Sequence, residues 1–223
     1  MALRHPTGSA ATAVVQPTAG NPLAASCADY NQTSISCAYP INVTAGNTAY
    51  VLVFVGAKAT IGTPSCSSGT ATIGTFTLIA NNTRGGEMAW YSASITGSGS
   101  CTVSATITAA STNETLLPFE VSGSGGIDSG ANPVFAYPDC TATCNTPSIT
   151  TSTANDLLLF GLMYPIPSAT FSALTPYTLS GQDGTGPIWM TGNYTAASAG
   201  KVNGSFSNSG ASTNTQMSVL AIK

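Results

Sequence analysis

Apolar and polar positions alternate with a period of two along most of this chain, β-branched residues are frequent, and no segment carries a sustained stripe at helical spacing. The alternation predicts strands over Ala11 to Pro17, Thr33 to Val43, Ala49 to Ala57, Thr75 to Asn81, Met88 to Ile95, Cys101 to Ala109 and Glu114 to Ser122. A second set follows over Pro133 to Tyr137, Ser148 to Thr153, Asp156 to Tyr164, Thr170 to Leu174, Tyr177 to Ser180, Pro187 to Tyr194, Val202 to Ser207 and Thr215 to Ile222. Gly, Pro, Asn and Ser clusters separate them. Many short strands at this spacing predict an all-β fold, an antiparallel β-sandwich of jelly-roll type. The runs Tyr50 to Val55 and Leu157 to Leu162 are apolar on both faces, which places them at the centre of a shared core.

The second set of strands echoes the first. Asn47-Thr-Ala-Tyr-Val-Leu-Val-Phe-Val is matched by Asn155-Asp-Leu-Leu-Leu-Phe-Gly-Leu, and Phe76-Thr-Leu by Tyr177-Thr-Leu. Polar turns follow, at Asn81-Asn-Thr-Arg-Gly-Gly and Gly181-Gln-Asp-Gly-Thr-Gly, then aromatic strands around Trp90-Tyr91 and Trp189. After the turns Ser111-Thr-Asn-Glu and Ser212-Thr-Asn-Thr, each half closes on an apolar strand, Leu116 to Val121 or Met217 to Ile222. The halves are approximately 45–123 and 148–223, and they are expected to interleave into one sandwich domain over 23–223.

Asn47 to Val55, Trp90-Tyr91, Cys101-Thr-Val, Glu120-Val-Ser-Gly123 and Thr153-Ala-Asn-Asp-Leu-Leu-Leu159 carry a resemblance. From about Thr44 to Lys223 the chain resembles the β-sandwich modules with an internal repeat found in bacterial surface proteins and in phage tail or virion proteins. The resemblance implies a display, adhesion or assembly role and brings no catalytic residue set with it. Residues 1–22 lie outside the repeat and read as an extended N-terminal arm whose β-capable run is Thr12, Ala13, Val14, Val15 and Gln16. Such an arm can add its strand to the open sheet edge of a neighbouring copy.

Composition narrows the function. Only 6% of the 223 residues are charged, the net charge is -3, and the one histidine, His5, sits in a polar stretch before Pro6. General acid-base catalysis and zinc or haem ligation draw on residues this chain scarcely holds, so no catalytic, cofactor-binding or metal-ligating set is assigned. A chain with more acidic than basic residues gives no field for a phosphate backbone, which excludes nucleic acid as an expected partner. So small a charge is a weak defence against association and favours packing against copies of itself. The longest apolar stretch, Leu157 to Met163, is far short of the roughly 20 residues of a membrane helix. Ala10 to Val15 is too short and Leu-poor to read as a secretion signal, which leaves export by a leader outside this sequence or incorporation into a virus particle.

Six cysteines fall into sequence-local pairs, Cys27 with Cys37, Cys66 with Cys101 and Cys140 with Cys144, without CxxC spacing. Six cysteines allow 15 connectivities, and spacing favours these nearest-neighbour disulfides and an oxidising compartment. Glycosylation sequons begin at Asn31, Asn42, Asn81, Asn113, Asn193 and Asn203. Asp128, Asp139, Asp156 and Asp183 lie near turns and read as solvated turn residues rather than calcium ligands, with Asp156 suited to ending a strand through side-chain bonds to the backbone. Trp90, Tyr91, Trp189 and Tyr194 fit core packing better than a sugar-binding platform. Glu120, inside an apolar strand, is the acid of a Lys-Asn-Glu crosslink if Lys58 or Lys201 reaches it, a role the cysteine staples make redundant. The expected function is a non-enzymatic structural protein that self-assembles into an extracellular filament or coat. The alternatives are a phage virion decoration or tail protein and a carbohydrate-binding or adhesive module that takes a surface glycan.

Overall fold

The computed structural model describes residues 11–24, 27–56, 59–84, 86–108, 113–164, 171–183, 188–209 and 215–223. His5, Arg4 and Lys58 fall outside them. The named elements are all strands: β1 Ala13–Gln16, β2 Ala28–Asp29, β3 Ser34–Ala38, β4 Thr48–Val55, β5 Ser65–Gly69, β6 Thr72–Ile73, β7 Thr77–Asn82, β8 Glu87–Gly97, β9 Cys101–Thr106 and β10 Glu114–Ser122. The second half holds β11 Val134–Ala136, β12 Thr143–Asn145, β13 Ile149–Thr151, β14 Leu157–Tyr164, β15 Phe171–Thr175, β16 Thr178–Asp183, β17 Ile188–Thr195, β18 Gly200–Val202, β19 Ser205–Asn208 and β20 Gln216–Ile222. The fold is all-β and antiparallel, as the alternation predicts.

Each half contributes a large and a small sheet. The first large sheet runs β1-β10-β4-β8-β6, with β2 also on β10 and β7 also on β8; the small sheet is β3-β9-β5. The second large sheet runs β11-β20-β14-β17-β16, opposite β12-β19-β15 and the pair β13-β18. In both, the long apolar strand (β4 or β14) lies between the closing strand (β10 or β20) and the aromatic strand (β8 or β17). Every described ladder joins strands of the same half, so the halves do not interleave. Their shared core is built in another way, face to face.

Side chains alternate across a strand, so a strand buried along its whole length must be covered on both sides. Among the described residues, β4 from Ala49 onward, β14 and β20 are buried at every position. Leu158, Phe160, Leu162 and Tyr164 of β14 enter the second half's own core, where Phe160 and Tyr164 pack with Tyr177, Phe206 and Phe171 at ring separations of 5.4 to 6.4 Å. Leu157, Leu159 and Met163 point the other way and join the core of the first half, with Trp189, Leu220 and Ile222. Four layers result: small sheet, large sheet, large sheet, small sheet.

The two large sheets meet closely. A Cβ on Gly161 would lie 2.4 Å from Leu52 Cδ2 and 3.0 Å from Leu117 Cδ1, so only glycine lets the first half's leucines seat here. Trp90 Nε1 donates to Ser218 Oγ at 2.7 Å, and Gln216 Nε2 to the Val55 carbonyl at 3.4 Å. In their own sheets Leu52 pairs with Leu117 of the closing strand and Gly161 with Ser218.

Gly161→Val is expected to cost about 1–3 kcal/mol by overpacking the seam. Leu52→Ala in the same chain should return part of that loss. Denaturant unfolding of both single variants and the double variant measures the coupling, and strict additivity would contradict the contact.

Candidate functional site: the N-terminal strand and its carboxylate lock

β1 lies on the outer side of β10, with Ala13 opposite Ser122, Val14 opposite Val121 and Gln16 opposite Glu120, and a bulge before Gln16. The arm strand thus pairs with this chain's own sheet. Ala13 is exposed, Val14 and Val15 are half-buried, and Gln16 alone of β1 is fully buried. Its side chain is saturated: Nε2 donates to Glu120 Oε2 at 2.6 Å and to the Ile41 carbonyl at 3.2 Å, while Oε1 accepts from the Ile41 N–H at 3.0 Å.

Glu120 is also fully buried. Its other oxygen, Oε1, accepts from the Thr44 N–H at 2.8 Å and from Asn47 Nδ2 at 2.6 Å. Among the described residues no cation takes part. A buried charge survives when several hydrogen bonds replace its hydration, and here neutral amides supply them. Tyr39 packs nearby and donates its hydroxyl to the Phe119 carbonyl at 3.3 Å; burial and then the Glu120 charge push its phenol well above the usual range. The outer side of β10 between its pairings with β1 and β2 holds Pro118, a residue sheets accept only where no ladder bond is required. The Lys-Asn-Glu crosslink does not form around Lys201, which lies exposed on β18 opposite Thr150.

The other two glutamates also act as internal clamps. Glu87 accepts from the Ile61 N–H at 2.7 Å and from Asn81 Nδ2 at 3.0 Å; Glu114 accepts from the Gln32 N–H at 3.2 Å. In the second half, Asp128 and Asp156 are both buried and adjacent, not solvated as expected from their turns. Asp128 accepts from Ser152 through its N–H at 2.7 Å and through its hydroxyl, from the Gly130 N–H at 3.0 Å, and lies 3.5 Å from Lys223 Nζ. Asp156 accepts from the Thr153 N–H at 3.3 Å and hydroxyl at 2.5 Å, which secures the turn into β14 as its sequence position suggests. Burial alone would raise both carboxyls. At Asp128 the bonds from Ser152, Gly130 and Asp156 outweigh burial and hold it well below the usual range. At Asp156 burial, with the proton shared toward Asp128 and that residue's charge, outweighs the Thr153 bonds and holds it above.

A cavity of about 450 Å³ opens beside this pair, lined by Thr12, Thr153, Asn155, Asp156, Thr195 and Lys223. Among the described residues no three His, Cys, Asp or Glu side chains converge. Asp139 is exposed, as expected of a turn residue, and the side chain of Asp183 lies outside what the structure describes.

The cysteines pair as spacing favours, Cys27–Cys37, Cys66–Cys101 and Cys140–Cys144. Asn31, Asn42 and Asn203 stand exposed at turns or loops. Asn81 is exposed with its amide given to Glu87, Asn193 is half-buried with its amide on Ser180 at 2.9 Å, and Asn113 is half-buried. Trp90 and Trp189 are fully buried and Tyr91 nearly so, so these aromatic residues form core and no sugar platform. Compared with protein-family models, curated proteins and solved structures, the chain matches none.

Glu120→Gln places an amide donor against three donors and is expected to cost about 1–3 kcal/mol in denaturant unfolding. Asp156 gives the opposite sign. A carboxyl raised in the folded state supports the fold at pH below its unfolded value and loses that support as pH rises through the folded one. Asp156→Asn, which mimics the protonated acid, is therefore expected to unfold at higher temperature than the parent at pH 7–8 and to lose the alkaline part of the stability profile; a lower melting temperature at pH 8 would contradict the shared-proton arrangement.

Proposed function

We propose that the chain is a non-enzymatic structural protein that self-assembles outside the cell, as a filament or coat, through β-sandwich contacts and its N-terminal strand. The observation that carries this reading is the chemistry of the sheet edges. β1, β7 and β11 bear no charged side chain, and Leu78 on β7 is 48% exposed. Monomeric β-proteins usually guard such edges with lysine, proline or inward charges. Here most of the few acids are spent inside, as loop clamps, which leaves an outer surface dominated by hydroxyls and amides with little charge to oppose contact.

The three disulfides suit an oxidising environment, and among the described residues no helix is long and apolar enough to cross a membrane. The resemblance to phage tail and virion modules read from the sequence implies, as the alternative, the same assembly chemistry on a particle surface. With the tryptophans in the core, the carbohydrate-binding alternative loses the aromatic surface it rested on.

Negative-stain electron microscopy of the purified full chain, beside size-exclusion chromatography with light scattering, tests the reading. Ordered fibres or particles are expected, with Leu78→Lys reducing their yield. A monomer of 22.3 kDa at every concentration tried would overturn it.

A further inference from the structure

We infer that β1 is an exchangeable strand and that the slot formed by the β10 edge, Ile41 and Glu120 is a receptor for the β1 of a second copy of this chain. The inference rests on the assembly reading above and names its contact. The receptor is seen already filled by a strand of identical sequence, so the fit of the occupant is given by the structure itself.

Three features make the strand exchangeable. First, β1 is held by three ladder positions, by the Gln16 side chain and by a bond of 3.4 Å from Ser122 Oγ to the Ala13 carbonyl. Val14 packs against the first half's core and Val15 is half-buried, while Gln16 is the one fully buried side chain of β1 and carries the specificity. Second, the strand lies at one edge of its sheet, so it can leave without breaking any other ladder. Behind it the turn Thr18 to Asn21 is closed by two backbone bonds of 3.0 and 3.2 Å, and beyond that turn Leu23 is anchored in the core and Pro22 packs against Gly181. Opening the turn frees the nine residues from Ala13 to Asn21, which reach about 30 Å when extended.

Third, a vacated slot is unfavourable. Departure of β1 strips Gln16 from Glu120 Oε2 inside the protein and exposes the backbone edge at Glu120 to Ser122. A buried carboxylate without its donor is costly, so the slot is driven to refill, either by its own strand or by an identical one. Exchange replaces each contact with its copy, which makes it a low-cost route to association. A short tether gives the chain's own strand an effective concentration in the millimolar range, so dilute protein keeps β1 in place and crowded protein, as in a coat or filament, exchanges it. Each open copy offers a strand at one place and a slot at another, a head-to-tail contact that propagates unless its rotation closes a ring.

The test uses the full chain carrying Ala13→Cys and Ser122→Cys, directly opposed in the β1–β10 register and away from the core. Isotope-labelled and unlabelled chains are unfolded, mixed equally, refolded at high concentration and oxidised mildly, and the peptide joining positions 13 and 122 is read by mass spectrometry. Mixed-isotope crosslinks in the proportion that random pairing gives are expected in the assembled fraction, with single-isotope crosslinks in dilute monomer. Single-isotope crosslinks alone within ordered assemblies would overturn strand exchange and leave self-assembly standing. Single-isotope crosslinks with no assemblies at all would overturn both. Gln16→Ala is expected to lower the mixed fraction several-fold while circular dichroism stays that of a folded β-protein; an unchanged fraction would remove Gln16 from the role of lock.

Discussion

The contact between the backs of the two large sheets governs the architecture. Each half is a sandwich with its own small sheet, yet the central strands of each large sheet are apolar on the face turned away from that small sheet as well. Left alone, either half would expose Leu52, Leu117, Phe119 and Trp90, or Leu157, Leu159, Met163 and Leu220, all buried in the chain as it stands. Burying one leucine-sized side chain contributes roughly 1.5–3 kcal/mol, so the seam accounts for more favourable free energy than a typical domain's net stability, before entropy is subtracted. The halves are obliged to associate. Gly161 is the concession that allows it, since the Leu52 and Leu117 side chains fill the space its own side chain would need.

That apolar demand explains how charge is used. With so few ionisable groups, the chain places all three glutamates and two of its five aspartates inside, where each fixes a loop or a strand end to the sheet beside it. Their donors are almost entirely neutral, and Lys223 at Asp128 is the single ion pair among the described residues. The seam is less fully satisfied. Thr115 Oγ1, Trp189 Nε1, Thr191 Oγ1 and Gln216 Oε1 are buried there without a partner among the described residues. At roughly 1–3 kcal/mol for each buried polar group left unpaired, they are affordable only against a large apolar contact. The surface that remains is nearly uncharged, and the assembly reading grows from it.

Much of the fold was legible. Period-two alternation located the long strands, and their two-faced apolar character pointed to a shared centre. The strands that went unread, β2, β5, β6 and β12, are short or lack an apolar face. β5 reads Ser-Cys-Ser-Ser-Gly and is held by its ladder to β9 and by Cys66–Cys101, forces that periodicity does not report. Continuity from Val202 to Ser207 failed at Asn203-Gly204, where β18 turns to β13 and β19 to β12 and β15. The lock was half legible: Glu120 stood out as an acid within apolar sequence, and Thr12 to Gln16 as a β-capable run. What joined them was not, because Gln16, Thr44 and Asn47 lie 104, 76 and 73 residues from Glu120. Asp128 and Asp156 read as separate turn acids for the same reason, since only the packing of the linker against the start of β14 brings them together.

Native-state hydrogen exchange measures the obligate seam and the detachable strand in one experiment. Amides of β4, β10, β14 and β20 are expected to exchange through one common opening at the free energy of global unfolding, while Ala13 to Gln16 exchange through a separate opening of lower free energy. Central strands of the second half that exchange well before those of the first would show that the halves stand independently and contradict the seam as the constraint on which the rest is built.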